Sequence, residues 1–455
     1  MVWLGGDGAD PLRNAERRAE GLIEANLGAF RALDVRADLT RRRGEPFVRI
    51  ETGTTVGAVP LLSPISGRLD YGLCVRPRFD WDAVGLILAA AGMRCIPALL
   101  PFPALPQSER TVPPWVLASV VLARVESLLD SQRRRFRWCS ADLPAPRGTV
   151  RWDQYVQSGL AAGNPLAVPC TFPDLDDDER LLSAIRWVLI RQRGALLAQR
   201  GASIIAQRLL NDCERLLVRV SGVPPMAPSR STRAAWDSEP MRSKLFREGV
   251  EAIGWTVDER GLAGLSDTTG LAWRLPMEQL FEAVVEAASE RCARRIGAQV
   301  RVGRTEQTRM TLRWSPPGSG SLRSLAPDVL MRREGLAVVV DAKYKPHAEL
   351  IARQGWDSVS ASVRESHRAD IHQVLAYSST EGAARVVACL AYPVHPSLFP
   401  SLIDRGRAAM RTTIRHEGRC VDLVLLAFPL NGDLEFASKH LEVAVCEAIA
   451  NGSPE

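Results

Sequence analysis

Hydrophobic and polar positions change rhythm several times along the chain. The first ~40 residues keep a polar, arginine-rich face from Arg13 to Arg43 and predict helix. Between residues 45 and 80 the segments PFVRIETG, VGAVPLL, GRLDYG and LCVRPRF are short, β-leaning and split by Gly, Pro and Ser, which predicts a meander of strands. An apolar helix is expected around Asp82–Ala91. Prolines 97, 101, 103, 106, 113 and 114 then exclude helix and central strand, so that stretch is an extended loop or arm. Trp115–Asp130 predicts a helix that ends in the basic run Arg133–Trp138.

The middle of the chain reads as helical. The acidic run Asp174–Glu179 suits the N-terminus of a helix reaching about Arg191. A second helix is expected over about Gly194–Val220, with Ile204, Ile205, Leu209, Leu210, Cys213, Leu216 and Leu217 near helical spacing. VPPMAPSRS at 223–231 is a turn or linker, and a further helix is expected at about Glu239–Ile253. No internal repeat or low-complexity tract interrupts this order.

The last third differs. A helix starts at Pro276, a residue suited to the first helical position. Strands are expected at about Gln299–Gly303 and Met310–Trp314. The loop SPPGSGS follows, then a hairpin, PDVLMRREGLAVVVDAKYK. A loop and helix cover about 351–379, and the apolar strands RVVACLAYP and VDLVLLAFP finish the core. Runs such as AVVV and VDLVLLAF lack polar alternation and fit strands buried on both faces, in an α/β sheet covered by helices. The expected division is a helical extension at 1–44, a β-rich module with the proline-rich arm at 45–160, a helical region at 161–261 and an α/β domain at 262–455.

Composition narrows the class. A length of 455 residues suits two to four domains, and 46% apolar with 24% charged residues is ordinary for a soluble protein. No apolar run reaches the ~18 residues that span a bilayer, and no signal peptide is evident, so a cytoplasmic location is expected. Nine scattered cysteines without a CxxC pair argue against a disulfide framework and a structural zinc site. A net charge of +6 is too dilute to mark a nucleic-acid binder by itself. Only four of the 58 basic residues are lysines, however: Lys244, Lys343, Lys345 and Lys439. Two of them fall in one three-residue window.

That window adjoins the candidate chemistry. Asp341 follows four apolar residues and Asp328 lies in an otherwise apolar strand, where an unpaired charge is costly. With the hairpin turn centred on Arg333-Glu334, Met331 faces Leu336 and Asp328 faces Val339. Val339, Asp341 and Lys343 then share a face. Asp328 joins them as the diagonal neighbour of Asp341, roughly 7–8 Å away. A shift of half a residue in the turn centre flips Asp328 to the other face. Two carboxylates at this spacing can share Mg2+, which would polarise a phosphodiester and activate water, while Lys343 stabilises developing charge. The same residues also suit a hairpin with ordinary surface or half-buried ion pairs. The helix PMEQLFEAVVEAASER buries Met277, Leu280, Phe281, Val284 and Ala288, with Glu278, Glu282 and Glu286 beside that stripe. One of these glutamates could complete a metal's ligand set; alternatively they form a solvated face paired with Arg291, Arg294 and Arg295. In DIHQVLAY, Asp370, Gln373 and Tyr377 share a helix face that could meet DNA phosphate or brace the lysine.

The order Glu on a helix, PD on a strand, DAK on the next strand and Q-x-x-x-Y on a helix resembles the PD-(D/E)xK nuclease superfamily. The finer wording is similar to the McrC family, the nuclease subunit of McrBC-type, modification-dependent restriction systems. The segments carrying it are MEQLFEAVV, LAPDVLM, VVVDAKYK and DIHQVLAY. Upstream, VRPRF (with Arg78 where the family usually writes Lys), RGTVRWDQY and PCTFPDLDDDERLLSAIRWVL are also similar, so the resemblance spans about residues 50–430. It implies a C-terminal restriction-endonuclease-like core. It makes Asp328, Asp341 and Glu282 metal ligands, Lys343 the catalytic lysine, and Gln373 and Tyr377 supporting residues. The implied cofactor is Mg2+, with Mn2+ able to substitute. The implied partners are double-stranded DNA, modified or not, and a McrB-like AAA+ GTPase that docks on the N-terminal half, over residues 45–114. This chain has no GxxxxGK[ST] loop and so binds no nucleotide as that motor does.

Two other functions keep the same residues: a non-cleaving subunit that stimulates an AAA+ NTPase, and a stand-alone DNA repair nuclease. All six histidines fall after residue 346 without metal-ligand spacing, and only His372 is expected near the site, in a surface or helix-packing role. The run Arg133–Arg137, with Phe136 and Trp138, suits either nucleic-acid contact or a solvated helix end.

Overall fold

The computed structural model describes residues 11–42, 45–79, 81–103, 105–106, 113, 115–131, 135–176, 178–199, 204–238, 243–258, 269–315, 322–416 and 419–450. The chain divides into two compact units. One comprises Met1–Pro113, Gly201–Ile205 and Leu262–Glu455, the other Pro114–Arg200 and Ala206–Gly261. These units differ from the four expected segments by joining the N-terminal strands to the C-terminal domain.

The first unit begins with helices Pro11–Ala25 and Leu27–Ala32, as the polar face predicts. The expected helix does not continue to residue 44. Val35–Arg42 is a strand paired antiparallel with Glu45–Thr52. The reason is local. Asp34 sits at φ 54, which ends the helix, and Val35, Ala37 and Leu39 then alternate with Arg36 and Asp38 at the strand period. Thr55–Leu61, buried throughout, pairs with Tyr71–Val75 on one side. On the other side it pairs with Trp273–Pro276, far along the sequence. Gly57 permits that crossing, because a Cβ there would lie 2.2 Å from the Trp273 carbonyl oxygen.

The core of this unit is a six-stranded mixed sheet. In chain order its elements are helix α1 (Met277–Ile296), strands β1 (Gln299–Val302), β2 (Val329–Arg333) and β3 (Leu336–Ala342), and helices α2 (His347–Gln354) and α3 (Ala361–Ser379). Strands β4 (Arg385–Val394), β5 (Ala409–His416) and β6 (Arg419–Pro429) and helix α4 (Leu434–Ala450) complete it. The strand order is β1-β2-β3-β4-β6-β5. β3, β4 and β6 run parallel, and the other pairings are antiparallel. Every residue of β3 is buried, as are nine of the ten in β4, as the unalternated valine-rich runs predict. On one face Leu330, Val339, Ala388 and Leu390 pack with Val374 and Tyr377 of α3. On the other, Phe281 of α1 meets Phe428 of β6 edge-on, with ring centroids 5.7 Å apart. The edge strand β5 and helix α4 were not expected. The residues of β5 exposed to solvent include Arg411, Thr412 and Arg415, so its pattern lacks the apolar run that marks its neighbours.

The second unit holds helices Trp115–Ser131, Glu179–Leu197, Ile204–Arg219 (which starts in the first unit) and Lys244–Val257. Asp178 caps the second of these by accepting from the Leu181 amide at 3.1 Å. The basic run does not extend a helix: Arg135–Leu143 is a strand paired with Val168–Asp176. Part of the acidic run, Asp174–Asp176, therefore lies in a strand rather than at the helix start. Arg133 and Arg134 lie outside the described residues, as do 200–203 and 239–242 of the two later expected helices and most of the SPPGSGS loop. Gly249 packs so closely on Leu128 that a Cβ would lie 2.6 Å from its Cδ2. Among the described residues, no helix is long and apolar enough to cross a membrane.

Candidate functional site

The hairpin β2–β3 places the aspartates. Its register pairs Arg333 with Leu336 and Val329 with Val340, so the turn is Glu334-Gly335 rather than Arg333-Glu334. Gly335 at φ 70 accounts for this, since a turn that takes the left-handed region at its second central residue favours glycine there. Relative to the expected register each partner moves by two residues, which preserves the face. Asp328, the residue before β2, therefore lies directly across from Asp341 and not on its diagonal. Its carboxylate accepts the Ala342 amide at 2.7 Å.

Lys343 follows the last residue of β3. Its amide continues the parallel ladder by donating to the Ala391 carbonyl at 2.9 Å. Its Nζ stands 2.8 Å from Asp341 Oδ2. Asp341 is 1% exposed, and the Lys343 ammonium is the donor that faces its Oδ2. Two carboxylates thus share one ammonium at the C-terminal end of a central parallel strand, where open α/β sheets commonly bind ligands.

The electrostatics follow from that imbalance. Burial pushes the Asp328 carboxyl up to about 8, with Asp341 and Glu282 adding to it and the Ala342 amide and Lys343 opposing. Burial also raises Asp341, against the pull of Lys343. For Lys343, burial works to lower the pKa, but Asp341, Asp328 and Asp370 outweigh it and the net direction is upward. The lysine is therefore held charged, and the carboxylate pair lacks a second positive charge.

Glu282 of α1 is half-buried, and burial, then Glu278, pushes its carboxyl up to about 7. Lys343 and Asp341 also act on it, which places it within electrostatic reach of the pair. It does not close a ligand set: among the described residues, no three His, Cys, Asp or Glu side chains are grouped to hold a metal ion. A hard cation nonetheless fits the aspartates, which set a buried and a half-buried carboxylate against a single ammonium. The expected solvated glutamate face is not present. Glu278 is exposed, but Glu286 is 1% exposed and pairs with Arg304 (3.0 Å) and Arg94 (3.6 Å). Arg295 instead meets Glu435 and Glu442 of α4.

On α3, Gln373 donates to the Tyr377 hydroxyl at 2.6 Å, and Asp341, Lys343 and Asp328 all act on Tyr377. Asp370, from the same helix face, braces the other lysine: Lys345 Nζ lies 2.6 Å from its Oδ1 and 3.0 Å from Ser366 Oγ. The Tyr392 hydroxyl donates to Asp370 Oδ2 at 3.0 Å and lies 2.8 Å from His367 Nδ1. His347 Nε2 stands 3.9 Å from the same carboxylate, and burial lowers the His347 pKa to about 4. His347 and His367, not His372, are thus the histidines behind the site, and His372 is exposed on α3. Their grouping draws on α2, α3 and β4, so no linear spacing announces it. Arg78 pairs with Glu349 of α2 at 2.9 Å, which ties the VRPRF segment, irregular beyond Val75, to this unit's core.

Residues 261–393 match the family model described as McrBC 5-methylcytosine restriction system component. That segment contains every residue of the site named above except Arg78, Arg94, Glu435 and Glu442. A search of curated proteins returns no match. Among solved structures, the chain is similar to the refined half-complex from a tetradecameric assembly of Thermococcus gammatolerans McrB AAA+ hexamers with bound McrC. The identity is 15%, the alignment covers 97% of this chain and 96% of that one, and the TM-score is 0.40. It is also similar to the cryo-EM structure of the Thermococcus gammatolerans McrBC complex, at 13% identity, 60% and 82% coverage and a TM-score of 0.27.

Proposed function

We propose, because the segment that holds this site, residues 261–393, matches the McrBC family model, that the chain is the nuclease subunit of a McrBC-type restriction and antiviral defence system. Its activity is Mg2+-dependent hydrolysis of DNA phosphodiester bonds, licensed by an AAA+ GTPase partner. The observation that carries this reading is the pairing of half-buried Asp328 with buried Asp341 around the one ammonium of Lys343, where burial raises both carboxyl pKa values. In this reading the unit from about residue 262 on is a PD-(D/E)xK core.

Asp328 and Asp341 would hold the cation through their carboxylate oxygens, with Glu282 as an outlying third carboxylate and Mn2+ able to substitute. When bound, the ion supplies Lewis-acid polarisation of the phosphodiester and a lowered pKa for the attacking water. Lys343, kept charged by its carboxylate neighbours, stabilises the negative charge that develops on the phosphate. A compact ammonium suits this place better than a guanidinium, which accords with a lysine retained in an arginine-rich chain. Gln373 fixes the Tyr377 hydroxyl, and Tyr377 in turn packs with Val339 behind the strand that carries Asp341. The chain lacks a phosphate-binding GxxxxGK[ST] loop, so GTP hydrolysis belongs to the partner, which docks over residues 45–114.

The test is cleavage of a cytosine-methylated plasmid by the purified chain with its AAA+ partner, GTP and Mg2+. Double-strand breaks are expected, and Asp341→Ala or Lys343→Ala should abolish them while partner binding persists. GTP hydrolysis without any nicking by the wild type would reject the nuclease and leave a stimulating subunit.

A further inference from the structure

One short turn touches two of the three elements that bring carboxylates to the site. Strand β1 ends at Val302, and a single 3-10 turn over Gly303–Thr305 follows. The Gly303 amide donates to the Asp328 carbonyl at 2.7 Å. Thr308 Oγ1 donates to the Pro327 carbonyl at 2.6 Å, and Thr308 is 4% exposed. These two carbonyls belong to the peptide planes on either side of the Asp328 Cα. Pinning both fixes the two soft dihedrals from which the carboxylate springs.

The turn is itself rigidly closed. The Glu306 amide donates to the Gly303 carbonyl at 2.8 Å, with Glu306 at φ 58. Gly303 leaves no room for a side chain: a Cβ would lie 2.8 Å from the Pro327 carbonyl oxygen and 3.3 Å from the Asp328 Cα. From the same turn, Arg304 Nε reaches Glu286 at 3.0 Å. Glu286 is buried one helical turn beyond Glu282 on α1.

We infer that the Gly303–Thr308 turn is a positioning clamp that sets the Asp328 carboxylate against Asp341 for cation binding, with Gly303 and Thr308 as positioning residues. The inference rests on the metal-dependent reading above. Neither residue is placed to touch a reacting atom, and each acts only through the backbone of Asp328. Groups that orient metal ligands commonly change metal affinity by about 10–100-fold when lost.

The experiment measures Mn2+ binding to the full chain by calorimetry and by the loss of free-ion electron paramagnetic resonance signal, without DNA or nucleotide. Thr308→Val removes the donor and keeps the shape; Thr308→Ser keeps the donor. Gly303→Ala displaces the same backbone with the hydroxyl intact. Thr308→Val and Gly303→Ala should weaken Mn2+ binding at least about tenfold, while Thr308→Ser stays near wild type. Melting temperatures in EDTA establish that each variant is folded. Wild-type Mn2+ affinity in folded Thr308→Val and Gly303→Ala would overturn the clamp and leave the metal reading standing. A wild-type chain that binds no Mn2+ would overturn the metal reading and the clamp with it.

Discussion

Replacing Asp328 with asparagine isolates the electrostatic cost of the carboxylate pair. The carboxamide would keep an oxygen for the Ala342 amide and remove the charge that burial and Asp341 oppose. In the folded chain the Asp328 carboxyl is raised from its ordinary 3.8 to about 8. A raised carboxyl pKa means that the folded state holds a proton which the unfolded state has released. Stability is therefore complete below pH ~4, falls as pH rises and reaches its floor above pH ~8. A full pH unit of slope is worth about 1.4 kcal/mol, so the metal-free chain should lose roughly 2–3 kcal/mol between pH 5.5 and 7.5. The amount belongs to the Asp328–Asp341 pair, which titrates together. For a unit of this size it amounts to roughly 3–5 °C in melting temperature. Differential scanning calorimetry in EDTA at the two pH values, wild type against Asp328→Asn, measures it. The variant should lose most of the slope. An equal slope in both proteins would refute the claim that this pair is buried with an uncompensated charge.

Other consequences are open to direct measurement. Cation binding near pH 7 should expel about one proton from the carboxylates, read as a dependence of the calorimetric enthalpy on the buffer's ionisation enthalpy. Enthalpies that do not vary among buffers would contradict it. In the second unit, Gly249→Ala should destabilise by about 1–3 kcal/mol, because its Cβ would lie 2.6 Å from Leu128 Cδ2. Urea denaturation checks this, and an unchanged midpoint would mean that the two helices part at little cost.

The sheet's centre was legible because burial on both faces leaves a mark in the sequence: LAVVVDA and RVVACLAY have no polar alternation. The turn was also readable, since the Glu-Gly step holds the glycine that takes φ 70, yet a centre on Arg333-Glu334 was expected. The aspartates kept a common face because the slip was two residues and not one. β5 was illegible for the opposite reason: an edge strand needs only one apolar side, and its exposed arginines read as loop. Helix α1 was expected with a single buried stripe, but α4 covers a second side, and nothing near α1 in the sequence signals that neighbour. The His347–His367–Tyr392 group and the turn at Gly303–Thr308 arise from tertiary contacts alone. Their residues are common types at unremarkable spacing.

The pairing of Thr55–Leu61 with Trp273–Pro276 carries a consequence for synthesis on the ribosome. The strand partner emerges roughly 200 residues later, about 10–40 s at ordinary translation rates. During that interval a seven-residue stretch, buried throughout in the finished protein, waits with one edge unpaired. The second unit, encoded between the two strands, has time to form first. A nascent chain stalled before Trp273 thus presents an adhesive strand, and its fate depends on whether a chaperone reaches that edge before another nascent chain does.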